Sequence, residues 1–149
     1  MDTCELLKRM VETGASDLHL QPPGKPVLRV DGCLLQQADL PEFSPEDVEV
    51  VFESITTECQ QNTFHCEQEL DFAYSVPDMA RFRVNVLKQR GTLSLNFRFV
   101  PFDPPSISDL GLPRLMEDFM LKPRGLILVT GPTGCGKSTT LAAMIAHLN

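Results

Sequence analysis

The sequence reads Gly131-Pro132-Thr133-Gly134-Cys135-Gly136-Lys137-Ser138-Thr139-Thr140 near its C-terminal end. Residues 131–138 fit the pattern G-x-x-x-x-G-K-[ST] at every specified position. A continuous apolar run, residues 126–129, comes before them and is typical of a strand buried on both faces of a parallel sheet. Apolar residues then recur at helical spacing, at Leu141, Met144, Ile145 and Leu148. A strand, a glycine-rich turn and a helix in this order predict a phosphate-binding loop at the start of an α/β domain.

Each residue type in this motif suits the binding of a nucleotide. Glycines let the backbone approach phosphates closely, and the N–H groups of residues 134–139 are expected to point inward at the positive end of the following helix. Lys137 is predicted to reach the β- and γ-phosphates, and the Ser138 hydroxyl to ligate Mg²⁺. We therefore expect ATP and Mg²⁺ as cofactors, bound by residues 131–140. The alternative is a glycine-rich turn that binds no ligand.

The cysteines favour neither a disulfide framework nor a zinc site. Five are present, which is an odd number, and none forms a C-x-x-C pair. His65-Cys66 is the nearest approach to a ligand pair, and two ordinary helix residues are the alternative. Cys135 lies inside the phosphate loop, where a helix N-terminus and Lys137 would make a thiol reactive. The alternative for Cys135 is a small residue that only fills space.

Composition narrows the class of protein. The hydrophobic share of 42% and the charged share of 22% are those of a folded globular chain. The net charge of −7 disfavours sequence-independent binding to nucleic acid or anionic lipid. No apolar run approaches the roughly 18 residues of a membrane-spanning helix, and the first residues lack the pattern of a signal peptide. A cytoplasmic location without a membrane span is therefore expected.

Helix and strand patterns are interspersed through the first 100 residues. Helices are predicted over residues 4–11, after the N-cap candidate Ser44, and from a weaker pattern over about 58–67. Alternating apolar residues predict strands, which lie at 16–21, 27–30, 33–36, 70–76, 82–86 and 93–99. Asp31-Gly32 is a strong hairpin signal between the second and third strands. The pattern predicts an α+β domain over residues 1–100.

Composition changes after this domain. Four prolines, Pro101, Pro104, Pro105 and Pro113, predict a stiff and extended linker over residues 101–113. A short amphipathic helix is expected next, running to about Lys122. Residues 114–149 are then the beginning of the α/β domain that carries the phosphate loop.

Three arginines lie on outward positions of the last two strands. Arg81 and Arg83 alternate with apolar residues and so leave one face of their strand, and Arg98 leaves the polar face of the next. If these strands pair, the guanidinium groups form a cationic patch that could clamp a triphosphate and stabilise phosphoryl transfer. A solvated basic strand face is the alternative.

Several segments, in order, carry a resemblance to a known family. They are ASDLHL at 15–20, RVDG at 29–32, LDFAY at 70–74, ARFRVNV at 80–86 and the stretch 125–143. Together they resemble the PilT-type ATPases, which drive type IV pilus retraction (twitching motility) and belong to the secretion ATPase superfamily. The resemblance covers nearly the whole sequence, and it departs mildly at Cys135, where the family usually has Ser.

The resemblance implies a specific architecture and setting. It implies a PAS-like N-terminal domain joined to a RecA-like ATPase domain. It also implies a homo-hexameric ring in the cytoplasm, peripheral to the inner membrane through the proteins of a pilus machine. In that family, arginines of the N-terminal domain reach the bound nucleotide, and Arg81, Arg83 and Arg98 are at the matching positions.

The resemblance also implies catalytic segments of the family that have no counterpart in the sequence up to Asn149. The family continues with an acidic segment that carries the catalytic glutamate, a Walker B carboxylate and a histidine-containing box. We therefore expect a piece of a longer protein that does not hydrolyse ATP alone, because nothing in it holds the attacking water. One strand and one or two helices cannot cover both faces of a buried sheet, so residues 126–129 and the apolar stripe of 141–148 should be exposed or badly packed.

Three functions stay open at this point. The first is a retraction motor ATPase, which is favoured by the Asp17 and His19 strand and by residues 81–85. The second is an ATPase of pilus assembly or type II secretion. The third is a non-catalytic binding or regulatory module, in which the N-terminal domain mediates subunit contacts and the loop binds phosphate weakly or not at all.

Overall fold

The computed structural model describes residues 3–89, 91–101, 104–132 and 135–148, and the chain divides into two compact units, residues 1–101 and 102–149. The elements of the first unit are α1 Thr3–Glu12, β1 Asp17–Leu20, β2 Val27–Val30, β3 Cys33–Gln36, α2 Pro45–Ile55, α3 Glu58–Glu67, β4 Glu69–Val76, β5 Ala80–Gln89 and β6 Thr92–Val100. These elements confirm the helices and strands predicted from the sequence.

The strands of the first unit form one antiparallel sheet in the order β3-β2-β1-β6-β5-β4. Strand β1 lies between β2 and β6, so the N-terminal hairpin joins the last three strands through the pairing of Leu18 with Phe97. Asp31 and Gly32 both have positive φ, as the tight turn between β2 and β3 requires. The predicted α+β fold class with antiparallel strands is confirmed for this unit.

One face of this sheet forms the core under the helices. Phe82, Val84 and Phe97 are buried there, and they belong to the same cluster as Leu7 and Met10 of α1. Helix α2 adds the four residues that the 3.6-residue periodicity selected, which are Val48, Val51, Phe52 and Ile55. Residues that alternate with the buried ones on β1, β5 and β6 therefore lie on the opposite face of the sheet.

The helix starts follow from local capping. Ser44 Oγ accepts a hydrogen bond from the Asp47 N–H at 3.2 Å, and Asp47 accepts one from the Ser44 N–H at 2.8 Å. This reciprocal bond fixes the start of α2 and lowers the pKa of the Asp47 carboxyl. Thr57 and Gln60 cap α3 in the same way. Only Phe64 of α3 is buried, which explains why its periodicity was weak in the sequence.

The second unit contains helices α4, Leu115–Met120, and α5, Lys137–Leu148. Its apolar cluster consists of Ile107, Met120, Ala143 and Met144. Residues 106–112 form a hydrogen-bonded turn, in which the Leu112 N–H donates to the Ile107 carbonyl. The second half of the segment expected to be an extended linker is therefore folded, because burial of Ile107 holds it against the helices of this unit.

The apolar run before the phosphate loop makes no strand pairing with the described residues. A strand needs a neighbour for its hydrogen-bond ladder, and the described part of the second unit offers none. Leu126 and Leu128 are 82% and 74% exposed, and Leu141, Ile145 and Leu148 are exposed as well. The expected exposure is confirmed for these residues but is wrong for Met144 of the same stripe, which is buried, and the strand itself is not formed. Among the described residues, no helix has the length and apolar character to cross a bilayer.

Candidate nucleotide site and arginine-bearing sheet face

Glycines shape the phosphate loop. Gly131 has a φ of +153° and Gly136 a φ of +92°, which are conformations that other residues rarely adopt. A Cβ atom at Gly131 would also lie 2.6 Å from Cys135 Sγ, so the cysteine side chain or the loop would have to shift to admit it. Thr133 and Gly134, which the sequence analysis assigned to nucleotide binding, lie outside the described residues.

Lys137 is the first residue of α5, and its side chain folds back over the loop. Its Nζ donates hydrogen bonds to the carbonyl oxygens of Gly131 at 2.9 Å and Pro132 at 2.7 Å. The same Nζ lies 4.0 Å from Cys135 Sγ. The ammonium group is thus held against the loop by neutral carbonyl oxygens, with no carboxylate paired to it among the described residues.

The start of α5 supplies the remaining groups. The Thr140 N–H donates to the Gly136 carbonyl at 2.8 Å and closes the first turn, so the N–H groups before it have no acceptor within the helix. Ser138 and Thr139 are exposed on this turn. Free N–H groups, a lysine and an exposed hydroxyl at a helix N-terminus fit a polyphosphate with a bound Mg²⁺. No cluster of three His, Cys, Asp or Glu side chains in the described ranges could hold a metal ion.

The outer face of the sheet in the first unit carries the three arginines. The register of β5 and β6 places Arg83 directly opposite Arg98, and both side chains are mostly exposed. Arg81 lies opposite Val100, and its side chain makes no hydrogen bond or ion pair with another described residue. The structure therefore brings Arg83 and Arg98 together as their alternation suggested, while their role toward a nucleotide stays a prediction.

Two aspartates pair with these arginines, and the sequence analysis missed both partnerships. Asp71 accepts hydrogen bonds from Arg83 Nε at 3.0 Å and Nη2 at 2.6 Å, which lowers the pKa of the Asp71 carboxyl and raises the pKa of Arg83. Asp17 accepts one from Arg98 Nε at 2.9 Å. Outward alternation of Asp17 and Asp71 on their strands was the available signal, but partners depend on the register between strands.

Asp17 is the most connected of these groups. Its side chain is only 12% exposed, and besides Arg98 it contacts the Ser16 hydroxyl at 2.8 Å and Arg29 Nε at 3.4 Å. Burial would raise the pKa of the Asp17 carboxyl, but the hydrogen bonds from Arg98 and Ser16 outweigh it and hold that pKa below its usual value. Asp17 is therefore a charged carboxylate between two guanidinium groups.

His19 lies two residues further along the same face of β1. Its Nδ1 is 2.7 Å from Asn96 Oδ1, so the imidazole N–H donates to the amide oxygen across the β1–β6 pair. This cross-strand hydrogen bond accounts for the orientation of the imidazole ring, for which the sequence offered no explanation.

The loop fits the G-x-x-x-x-G-K-[ST] pattern and opens α5, which is the arrangement typical of P-loop nucleotide-binding proteins. The family model for Type II/IV secretion system proteins matches residues 3–149, and the chain belongs to this family.

Two named relatives and one solved structure are similar to the chain and support this family assignment. The chain is 42% identical over all its 149 residues to the Type IV pilus retractation ATPase PilT of Pseudomonas aeruginosa, and covers 43% of that protein. It is 40% identical over 124 residues to a twitching motility protein of Neisseria gonorrhoeae, covering 83% of the chain and 33% of the relative. A crystal structure of the pilus retraction motor PilT with bound ADP superposes with a TM-score of 0.88 at 38% identity, covering 99% of the chain and 43% of PilT.

The chain thus spans less than half the length of the relatives it matches. The resemblance to PilT-type ATPases that the sequence motifs suggested is confirmed, and it extends along the whole chain.

Proposed function

We propose that this chain is the N-terminal, ATP-binding part of a type IV pilus retraction motor, which couples ATP hydrolysis to pilus disassembly and twitching motility. The observation that carries the proposal is the 42% identity to the PilT retraction ATPase over the entire chain. The superposition on a retraction motor with bound ADP supports it, as does the glycine and lysine geometry of the loop.

In this function residues 131–140 bind the phosphates of ATP. Lys137 exchanges its hydrogen bonds with the neutral Gly131 and Pro132 carbonyls for bonds to the β- and γ-phosphates, whose oxygens are charged acceptors. Ser138 is the one protein ligand we assign to Mg²⁺, and this ion would neutralise charge on the phosphate oxygens. Backbone N–H groups at the start of α5 orient the phosphate tail.

The arginines of the first unit complete the proposal. Arg81, Arg83 and Arg98 contact nucleotide phosphates in the assembled motor and stabilise charge during phosphoryl transfer. Support comes from the sheet face, which presents two of the guanidinium groups side by side. No residue among the 149 is assigned to activation of the attacking water. We therefore expect the chain by itself to show no turnover.

The architecture implied by the family belongs to the same proposal. Residues 1–100 form a PAS-like domain, 101–113 connect it to the next domain, and 114–149 begin a RecA-like ATPase domain. The intact protein works as a cytoplasmic homo-hexamer, peripheral to the inner membrane through pilus machinery proteins. The exposed apolar residues of the second unit support a domain that is completed by further chain. The net charge of −7 supports the absence of a nucleic-acid partner.

A titration of the intact protein with Mg-ATP tests the proposal. Lys137→Ala should abolish binding, because the loop loses its charged donor. Lys122→Ala is the matched control, since Lys122 is an exposed lysine of the same unit outside the loop. Lack of Mg-ATP affinity in the wild-type protein, or unchanged affinity in Lys137→Ala, would contradict the proposal.

A deletion strain separates retraction from assembly. Loss of a retraction motor leaves surface pili in place and abolishes twitching, whereas loss of an assembly ATPase removes the pili. Electron microscopy of the pili together with a surface-motility assay distinguishes the two outcomes.

A further inference from the structure

The arginines of the sheet face differ in how much of each guanidinium group is engaged. Arg98 contacts Asp17 through Nε alone, and its two terminal nitrogens make no hydrogen bond with any other described residue. Arg83 uses both Nε and Nη2 on Asp71. Arg98 therefore retains the pair of donors that bind an anion bidentately, whereas Arg83 retains only Nη1.

The Asp17–Arg98 pair is also asymmetric in its exposure to solvent. The Asp17 side chain is 12% exposed, while the Arg98 side chain is 68% exposed. Here the carboxylate is fixed beneath the surface by the Ser16 hydroxyl and by Arg29, and the arginine stands outward from it.

The register adds an electrostatic cost that the aspartates offset. Arg83 and Arg98 are directly opposite on neighbouring strands, and like charges in this position repel. A carboxylate beside each guanidinium group reduces that repulsion without covering the outward nitrogens of Arg98. The arrangement keeps positive groups side by side on an exposed face, as binding of a polyanion requires.

We infer that Asp17 is a positioning residue, which holds Arg98 by Nε so that its two terminal nitrogens face outward as a preformed fork for nucleotide phosphate. This inference rests on the proposed function and adds to it the residue that sets the orientation of one arginine. Preorganisation matters because a fork that is already oriented loses less conformational entropy on binding.

A double-mutant cycle on the intact protein tests the inference, with kcat and KM for Mg-ATP and the melting temperature measured for each variant. Arg98→Ala should lower kcat/KM by roughly 10³-fold, and Asp17→Asn by roughly 10²-fold through misplacement of the fork. Asp17→Asn should add no further loss in the Arg98→Ala background, because its effect passes through Arg98. Asp39→Asn is the matched control, since Asp39 pairs with Arg9 of α1. It should leave kcat/KM unchanged.

The outcomes separate this inference from the proposed function. An Asp17→Asn loss that is equally large without Arg98 would show a merely structural role and overturn the inference. Normal turnover in Asp17→Asn, alongside abolished binding in Lys137→Ala, would overturn the inference and leave the proposed function intact. A wild-type protein that neither binds nor hydrolyses Mg-ATP would overturn both.

A second variant covers the case in which Asp17→Asn fails to fold. Arg98→Lys keeps the positive charge beside Asp17 but removes the planar fork, so the protein should fold and still lose at least tenfold in kcat/KM. Full activity of Arg98→Lys would show that charge alone suffices, and that too would overturn the inference.

Discussion

Gly131 is a position in the phosphate loop where the structure allows the effect of a substitution to be worked out. Its φ of +153° is rarely adopted by other residues, and an added Cβ would meet Cys135 Sγ at 2.6 Å. Backbone strain of this kind costs about 1–3 kcal/mol. We expect the substituted loop to relieve the backbone strain by leaving the conformation proposed to bind phosphate. Gly131→Ala should therefore raise the Kd for Mg-ATP by about 5- to 150-fold, since each 1.4 kcal/mol is a factor of ten.

A second substitution divides this cost into its two causes. In Gly131→Ala the new Cβ would be 3.9 Å from Cys135 Cβ, which is an ordinary contact. Removing the sulfur with Cys135→Ala therefore relieves the steric part and leaves the backbone strain. The double variant should recover some of the lost affinity and remain weaker than wild type. Cys135→Ala alone should change the Kd by about twofold or less.

Calorimetric titration of the intact protein with Mg-ATP, on the wild type and the three variants, measures these effects. Wild-type affinity in Gly131→Ala would refute the argument from backbone conformation. Complete recovery in the double variant would show that the sulfur contact alone was responsible and that the positive φ costs nothing.

Further predictions concern the stability of the core, the loss of stability at low pH and the alkylation of Cys135. Phe82→Ala should lower the free energy of unfolding by about 3–5 kcal/mol in urea denaturation, because Phe82 is fully buried in the sheet, whereas the exposed Val50→Ala should change it by less than about 0.5 kcal/mol. The pKa values of Asp17 and Asp71 lie below the ordinary 3.8, so their ion pairs contribute stability above about pH 5 that is lost as the pH falls through 3.8 and below. Melting temperatures between pH 6 and pH 2.5 should show this decline, and Asp17→Asn should flatten it; a decline that is identical in Asp17→Asn would contradict the assignment to Asp17. Alkylation of the exposed Cys135 should weaken Mg-ATP binding by crowding the loop beside Lys137, and the Cys135→Ala protein should resist the same reagent.

Local signals allowed much of the first unit to be predicted from the sequence. The Asp31-Gly32 turn, the Ser44 cap and the alternation on β5 depend on residues within a few positions of each other, so the sequence displays them directly. The position of β1 between β2 and β6 could not be predicted in this way, because it depends on contacts between residues about 80 positions apart. The pairing of Asp17 with Arg98 follows from that register and was missed with it.

The segment after the first unit contains two sequence signals that favour different structures. Its prolines favoured an extended linker, yet Ser106 and Asp109 form a reciprocal cap, in which each side chain accepts a hydrogen bond from the other's backbone N–H at 3.0–3.1 Å. The spacing S-x-x-D was readable in the sequence as a capping signal. Burial of Ile107 then completes the turn, and this burial depends on tertiary packing that the local sequence does not reveal.

The net charge of the chain bears on how the proposed nucleotide site could gain its affinity. The chain carries a net charge of −7, so its long-range field repels a nucleotide rather than attracting it. Affinity must therefore come from groups that act at contact distance. Lys137 is held on neutral carbonyls, and Arg98 is held through one nitrogen. Arg98 thus keeps its two terminal nitrogens for an anion, whereas Lys137 would exchange its carbonyl partners for phosphate oxygens, and both side chains are already oriented before binding.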